Sequence, residues 1–197
     1  MNFMEKKKKI GLFFGTFNPV HIGHMAIANY FVAYSDLDQL WFVVSPHNPL
    51  KNRNDLLADY HRLHLLELAI GDSNLFRVSN VEFNMPKPSY TIDTLTYLHE
   101  KYPDYELVLL LGSDNLDSFH KWKNYQVILD QYQLYVYPRN QFKPEDSVYR
   151  EHIKLVDAPQ MEVSSSFIRK AIREGKDVSF FMPESVARYV NEMNFYQ

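Results

Sequence analysis

Gly15-Thr16-Phe17-Asn18-Pro19-Val20-His21-Ile22-Gly23-His24 joins two apolar segments of different kinds. Before it, Ile10 to Phe14 is bulky enough for a buried strand of a parallel sheet. After it, Met25 to Tyr34 is apolar on nearly every side, as a helix packed between layers is. The connection must turn. Gly15 can bend and leaves room for a ligand to approach, and Asn18-Pro19 is a turn dipeptide that fixes φ just before the helix starts. His21 and His24 therefore reach the first helical turn three residues apart and on one face, where unpaired amides and the positive end of the helix dipole favour an anion. Two histidines at this spacing are, taken alone, more often surface or capping residues. Here a strand, a glycine turn, a proline and a helix start coincide with the pair, which favours a phosphate site. With no cysteine in the chain and no third ligand nearby in sequence, zinc is the weaker reading.

The 197 residues suit a single domain, residues 1–197, in which 163–197 form a C-terminal helical portion, and 46% hydrophobic content is ample for a core. Net charge is -3 with a pI near 6.2, so no general nucleic-acid-binding surface is implied and any phosphate-binding charge must be local. The absence of cysteine excludes disulfides and thiol catalysis. Lys6 to Lys9 follow too few apolar residues for a signal peptide, and no run approaches the roughly 20 of a membrane span, so a cytoplasmic protein is expected.

Further strands are predicted at Gln39 to Ser45, Leu75 to Phe83, Tyr105 to Leu111 and Gln133 to Tyr137, with Ile153 to Val156 a candidate last strand. Helices are predicted around Leu56 to Ile70, capped by Asn54 or Asp55 and ended by Gly71, and over Ile92 to Lys101 and Tyr125 to Gln131. Alternation of this kind implies an α/β fold, a Rossmann-like doubly wound parallel sheet with helices on both faces. Ligands gather at the carboxyl ends of such strands, which draws attention to three loops. His47 and Lys51 leave the second strand and are placed to reach the crevice, or are solvated. Gly112 ends the strand Tyr105 to Leu111, and Asp114 beside it either accepts from ribose hydroxyls or caps a helix. Trp122, between Lys121 and Lys123 and near His120, offers a stacking surface for a planar ring or packs at the surface. Val163-Ser164-Ser165-Ser166-Phe167-Ile168-Arg169 begins a helix, giving a second anion site with hydroxyls at its cap and Arg169 one turn in, or else a capped surface helix. A single phosphate would not need two such sites, whereas a triphosphate would.

GTFNPVHIGH resembles the signature of the nucleotidyltransferase superfamily, whose (His/Thr)-x-Gly-His motif holds the triphosphate of ATP or CTP, and VSSSFIR resembles its second motif. HIGH also resembles class I aminoacyl-tRNA synthetases, but 197 residues leave little room for a tRNA-binding apparatus. Over nearly the whole chain the likeness is to bacterial nicotinate-nucleotide adenylyltransferases, carried also by PHNPLK at 46–51, PSYTIDTL at 88–95, GSDNLDSFHKW at 112–122 and the closing MPESVARYV. Phe14 departs from the second glycine of many members.

The resemblance implies joining of nicotinate mononucleotide to ATP, with release of pyrophosphate, as a step of NAD biosynthesis. It implies catalytic roles for His21, His24, Lys51 and Arg169, and ATP contacts from Gly15, Thr16, Phe17, Gly23, Gly112, Asp114, Ser164 and Ser165. The mononucleotide would meet Asn18, Tyr90, Thr91, Trp122 and the backbone near Lys123. Mg2+ would arrive with ATP, with no dedicated metal cage. The expected partners are these two nucleotides, with no nucleic acid polymer or membrane, and homo-oligomerisation is left open. A pantetheine-phosphate adenylyltransferase or a cytidylyltransferase is the nearest alternative, and a non-catalytic nucleotide sensor a more distant one.

Overall fold

The computed structural model describes residues 7–46, 56–139 and 147–197. Six strands, β1 (Lys8–Gly15), β2 (Gln39–Val44), β3 (Phe76–Ser79), β4 (Tyr105–Gly112), β5 (Gln133–Tyr137) and β6 (Ile153–Leu155), form one sheet in the order β3-β2-β1-β4-β5-β6. Every pairing is parallel. Around it lie α1 (Ile22–Tyr34), α2 (Asp59–Ile70), α3 (Thr91–Lys101), α4 (Tyr125–Gln131), α5 (Ser165–Arg173) and α6 (Glu184–Glu192). The doubly wound sheet expected from the sequence is the sheet observed.

Two apolar layers explain why the strands read as continuous apolar runs. Successive side chains of a strand point to opposite faces. Ile10, Leu12, Trp41, Val43, Leu107, Leu109, Leu134 and Val136 meet Ile92, Leu95 and Leu98 of α3 and Ile128 of α4. On the other face Phe13, Phe42, Val108, Leu110 and Tyr135 meet Phe31 of α1, Leu65 and Leu66 of α2, Ile168 of α5 and Val186 of α6. Full burial of one such side chain contributes roughly 1.5–3 kcal/mol. Both faces are therefore needed to hold the central strands, and the helical stretch after residue 163 belongs to the same core as α1 and α2.

The sheet reverses its winding between β1 and β4, which opens a crevice at their carboxyl ends. Those ends are Gly15 and Gly112. At the opposite end of the sheet the charges are mutually paired. Asp36 accepts from Lys9 at 2.8 Å, Lys154 at 2.6 Å and the Tyr135 hydroxyl at 2.5 Å. Burial opposes its ionisation, but these donors hold the carboxyl far below its usual range.

Three local expectations change. Leu75 to Phe83 is not one strand: β3 stops at Ser79 and a 3-10 turn, Val81–Asn84, follows. As the sheet edge, β3 has β2 as its one neighbour and little to extend it. α2 begins at Asp59 after Ala58, while the caps expected at Asn54 or Asp55 lie outside the described residues, and Gly71 ends it at φ 53° as expected. Asp114 does not cap a helix. Gly112 occupies the cap of the 3-10 segment Ser113–Lys121, and Asp114 sits in its first turn.

Candidate active site

A cleft of about 1210 Å3 opens over the carboxyl ends of β1 and β4. Its floor is the turn that the first motif makes. Gly15 is required there because a Cβ would lie 2.9 Å from the Phe17 ring. That ring packs edge-on to Phe13, Phe42 and His24, and the packing holds Phe17 at φ 46°, a left-handed backbone that an aromatic residue rarely adopts.

The carbonyls of this turn are held by donors from distant parts of the chain. Gly15 O accepts from Ser45 N at 2.9 Å, Thr16 O from Arg62 at 2.7 Å, Asn18 O from Arg169 at 2.8 Å and Pro19 O from the Ser165 hydroxyl at 2.8 Å. Arg62 is fully buried and commits its whole guanidinium. Besides Thr16 it donates to the carbonyls of Ser45, Pro46 and Leu57 and to the Asp59 carboxylate. It thereby ties the turn to the end of β2 and the start of α2.

His21 caps α1 and His24 lies one turn in, with rings stacked 3.7 Å apart. Gly23 permits the close approach, since a Cβ there would stand 3.0 Å from His21 Nδ1. The His21 amide donates to His24 Nδ1 at 3.3 Å, so a neutral His24 carries its proton on Nε2 as a donor. Burial, then the charge of Arg139, lowers the His21 pKa to about 4. Burial, then His21 and Arg139, push His24 well below its ordinary value as well. Both rings are neutral at pH 7 in the absence of an anion.

Two buried polar atoms in the described residues lack a partner, His21 Nδ1 and Arg169 Nε, and both belong to residues on the cleft wall. Native interiors rarely leave such atoms unmet. Arg169 otherwise donates to Asn18 O and, at 3.4 Å, to Ser166. Ser164 caps α5 by accepting from Phe167 N at 3.2 Å, which leaves its own hydroxyl hydrogen to donate.

The structure brings most of the expected residues to this one cleft. Gly15, Thr16, Phe17, Asn18, His21, Gly23, His24, Gly112, Ser164, Ser165 and Arg169 lie on its wall, as do Tyr90, Thr91 and Trp122 at its other end. Thr91 opens α3, and Trp122 packs on Phe119 with part of its ring exposed. Lys51 lies outside the described residues, as does His47.

Some expected contacts are already committed within the protein. The Ser165 hydroxyl donates to Pro19, so it is a tether rather than a spare donor. Asn18 Oδ1 accepts from Leu57 N at 3.2 Å and the Tyr196 hydroxyl at 2.8 Å. Asp114 is off the cleft wall, 3.7 Å from Arg139, and its neighbour Asn115 lines the cleft instead. Lys123 is exposed, and its ammonium binds Asp93 at 2.8 Å. The sequence does not single out Arg62, Arg139 or Glu82. Arg139 had a usable signal, since it follows the carboxyl end of β5. Arg62 and Glu82 acquire their surroundings only in three dimensions.

A doubly wound sheet with paired histidines and an arginine converging on the switch-point cleft defines a nucleotide-binding α/β protein of the nucleotidyltransferase kind. The sequence profile of the cytidylyltransferase-like family matches residues 12–171, and the chain belongs to that family. Among its curated relatives, a protein of Flavobacterium johnsoniae is 49% identical over 191 residues, covering 96% of this chain and 99% of its own length. One of Bacteroides thetaiotaomicron is 45% identical over 188 residues, covering 95% and 93%. Both are named probable nicotinate-nucleotide adenylyltransferase. The Plasmodium falciparum nicotinic acid mononucleotide adenylyltransferase complexed with NaAD superposes with a TM-score of 0.79 at 20% identity, over 96% of this chain and 97% of that one. These findings bear out the family resemblance read from the motifs and, through the superposition, the fold.

Proposed function

We propose that the chain joins nicotinate mononucleotide to ATP, giving nicotinate adenine dinucleotide and pyrophosphate. The observation that carries this reading is the pair of unmet buried nitrogens, His21 Nδ1 and Arg169 Nε, set in one cleft wall between two helix N-termini. Leaving a buried polar nitrogen unmet costs about 1–3 kcal/mol, and a triphosphate oxygen arriving between α1 and α5 offsets that cost by accepting from Arg169 Nε and, in the tautomer that carries its proton there, from His21 Nδ1. The named relatives support the choice of substrates.

The attacking group is the mononucleotide phosphate, whose second pKa of about 6 leaves it ionised at neutral pH, so no general base is required. Its oxygen forms a bond to the α-phosphorus of ATP as the bond to the pyrophosphate oxygen breaks on the opposite side. The protein's task is alignment and stabilisation of charge on the leaving group. His24 donates from Nε2, the amides at the start of α1 and α5 and the Ser164 hydroxyl donate beside it, and Arg169 and Arg139 supply positive charge. Lys51 is a further cation on the strength of its motif. Gly112 and Asn115 border the nucleoside. Tyr90, Thr91 and Trp122 receive the pyridine ring, with its carboxylate at the N-terminus of α3.

Mg2+ enters as part of the substrate, MgATP. In this reading its ligands are phosphate oxygens and water. Pyrophosphate release with ATP and Mg2+, measured on nicotinate and nicotinamide mononucleotides side by side, tests the reading. A preference of 10² or more for the acid is expected of a site built to meet a carboxylate. No release with either substrate would overturn it.

A further inference from the structure

Glu82 is the one buried carboxylate on the cleft wall in the described residues, and nothing in the reaction outlined above uses it. It is 3% exposed and lies on the 3-10 turn after β3. Its oxygens accept from hydroxyls only: Thr94 at 2.8 Å, Ser89 at 3.1 Å, and Ser45 at the end of β2. No Lys, Arg or His among the described residues pairs with it. Buried carboxylates are ordinarily paired with a cation, and three neutral donors are weak compensation for a full charge. Burial accordingly pushes its pKa up, with the three hydroxyls pulling the other way.

Two of those hydroxyls fix where the carboxylate stands. Ser89 immediately precedes Tyr90 and Thr91, and Thr94 is one turn into α3, so Glu82 sits against the first turn of the helix that borders the ring end of the cleft. The far end of the same cleft is cationic, with Arg139 and Arg169 beside the histidines. A ligand matched to this distribution is negative at one end and positive at the other. A pyridinium mononucleotide carries its phosphate at one end and, across the ribose, a quaternary ring nitrogen; in the nicotinate form the ring carboxylate lies beyond that nitrogen, towards the N-terminus of α3.

Resting on the reading that a pyridine mononucleotide is the substrate, we propose that Glu82 is a specificity-determining residue that recognises the positive charge of the pyridinium ring. Its role is separate from recognition of the ring's carboxylate, which falls to the N-terminus of α3. The carboxylate selects oxidised, cationic rings over neutral rings of the same shape. It disfavours a reduced dihydropyridine or a carbocyclic aromatic ring even when ribose, phosphate and ring carboxylate are unchanged.

The test compares nicotinate mononucleotide with its neutral isostere, 3-(ribofuranosyl)benzoate 5′-phosphate, in which carbon replaces the ring nitrogen. The wild-type protein should prefer the charged ring by about tenfold or more in kcat/KM, as expected for one partly screened charge pair. Glu82→Gln should bring the ratio close to one, chiefly by raising KM for the charged substrate, while Glu82→Asp keeps a preference. A wild-type ratio within about threefold of one overturns the inference with no variant needed, so misfolding of Glu82→Gln cannot shield it. Equal losses on both substrates in Glu82→Gln also overturn it, since ribose contacts or simple architecture would lower both alike. Absence of turnover with every pyridine mononucleotide overturns the proposed function itself, an outcome distinct from a missing charge preference in an active enzyme.

Discussion

Acid should destabilise this protein through His21, and the size of the effect follows from its surroundings. In the unfolded chain the imidazole titrates near 6.5, whereas burial and Arg139 lower the folded value to about 4. Between those values the unfolded state binds more protons, so stability rises with pH across the window and is lost as pH falls from 6.5 towards 4. Integrating one site from pH 8 to pH 5 gives about 2 kcal/mol. For a chain of this size that corresponds to a fall in Tm of about 4–8 °C. The comparison needed is thermal unfolding of wild type and His21→Gln at pH 8 and pH 5. Other groups titrate in both proteins, and the difference isolates His21. The variant should lose less Tm between the two pH values by about 4–8 °C, and removing the stacked ring also relieves His24, which acts in the same direction. A bound ATP analogue should narrow the wild-type drop, because phosphate oxygens favour the protonated ring. Equal Tm losses in wild type and His21→Gln would refute the claim that this histidine is held neutral by burial.

Three other outcomes are expected. His24→Ala should fold and lose about 10² to 10³ in kcat, the usual effect of removing one well-placed donor to developing charge; turnover close to wild type would remove His24 from the mechanism. Arg62→Met strands four carbonyls and the Asp59 carboxylate, and loss of a buried charged partner costs about 3–5 kcal/mol, which denaturant unfolding would register; a loss under about 1 kcal/mol would show that water replaces the guanidinium. Gly112→Ala sets a Cβ 2.5 Å from Asp114 Oδ1 and 3.2 Å from Arg139 Cδ, both on side chains that can shift, so KM for ATP should rise with little change in Tm.

How much could be read in advance depended on whether the determining forces are local. β5 and α4 are found where the sequence puts them, because a continuous apolar run, Leu134 to Tyr137, and a short amphipathic turn are local patterns. The histidine pair was legible for the same reason: strand, turn and helix start fall within one stretch of chain. Glu82 was swept into an expected strand because Val81 and Phe83 flank it with apolar side chains in alternation. In the folded chain it turns inward to hydroxyls from Ser89 and Thr94, and no periodicity announces such a turn. The local sequence marks Asn18 and Ser165 as groups that would meet ligand, but their bonds to Tyr196 and Pro19 respectively, each more than a hundred residues away along the chain, form only in the fold. Nothing in the local sequence distinguishes Arg62 from a solvated helix charge, because its carbonyl partners come from Thr16, Ser45 and Pro46 as well as nearby Leu57.

The occupied carbonyls of the Gly15 to Pro19 turn also carry a lesson for inhibitor chemistry. Gly15, Thr16, Asn18 and Pro19 each already have a protein donor at 2.7–2.9 Å. A fragment that offers N–H or O–H groups to this wall must compete with those bonds. One that offers acceptors competes with none of them and can meet Arg169 Nε. Screening collections weighted towards compact acceptor-rich groups, such as sulfonyls, phosphonates and tetrazoles, should therefore give hits at the α1 end of the cleft more often than donor-rich amines or amidines.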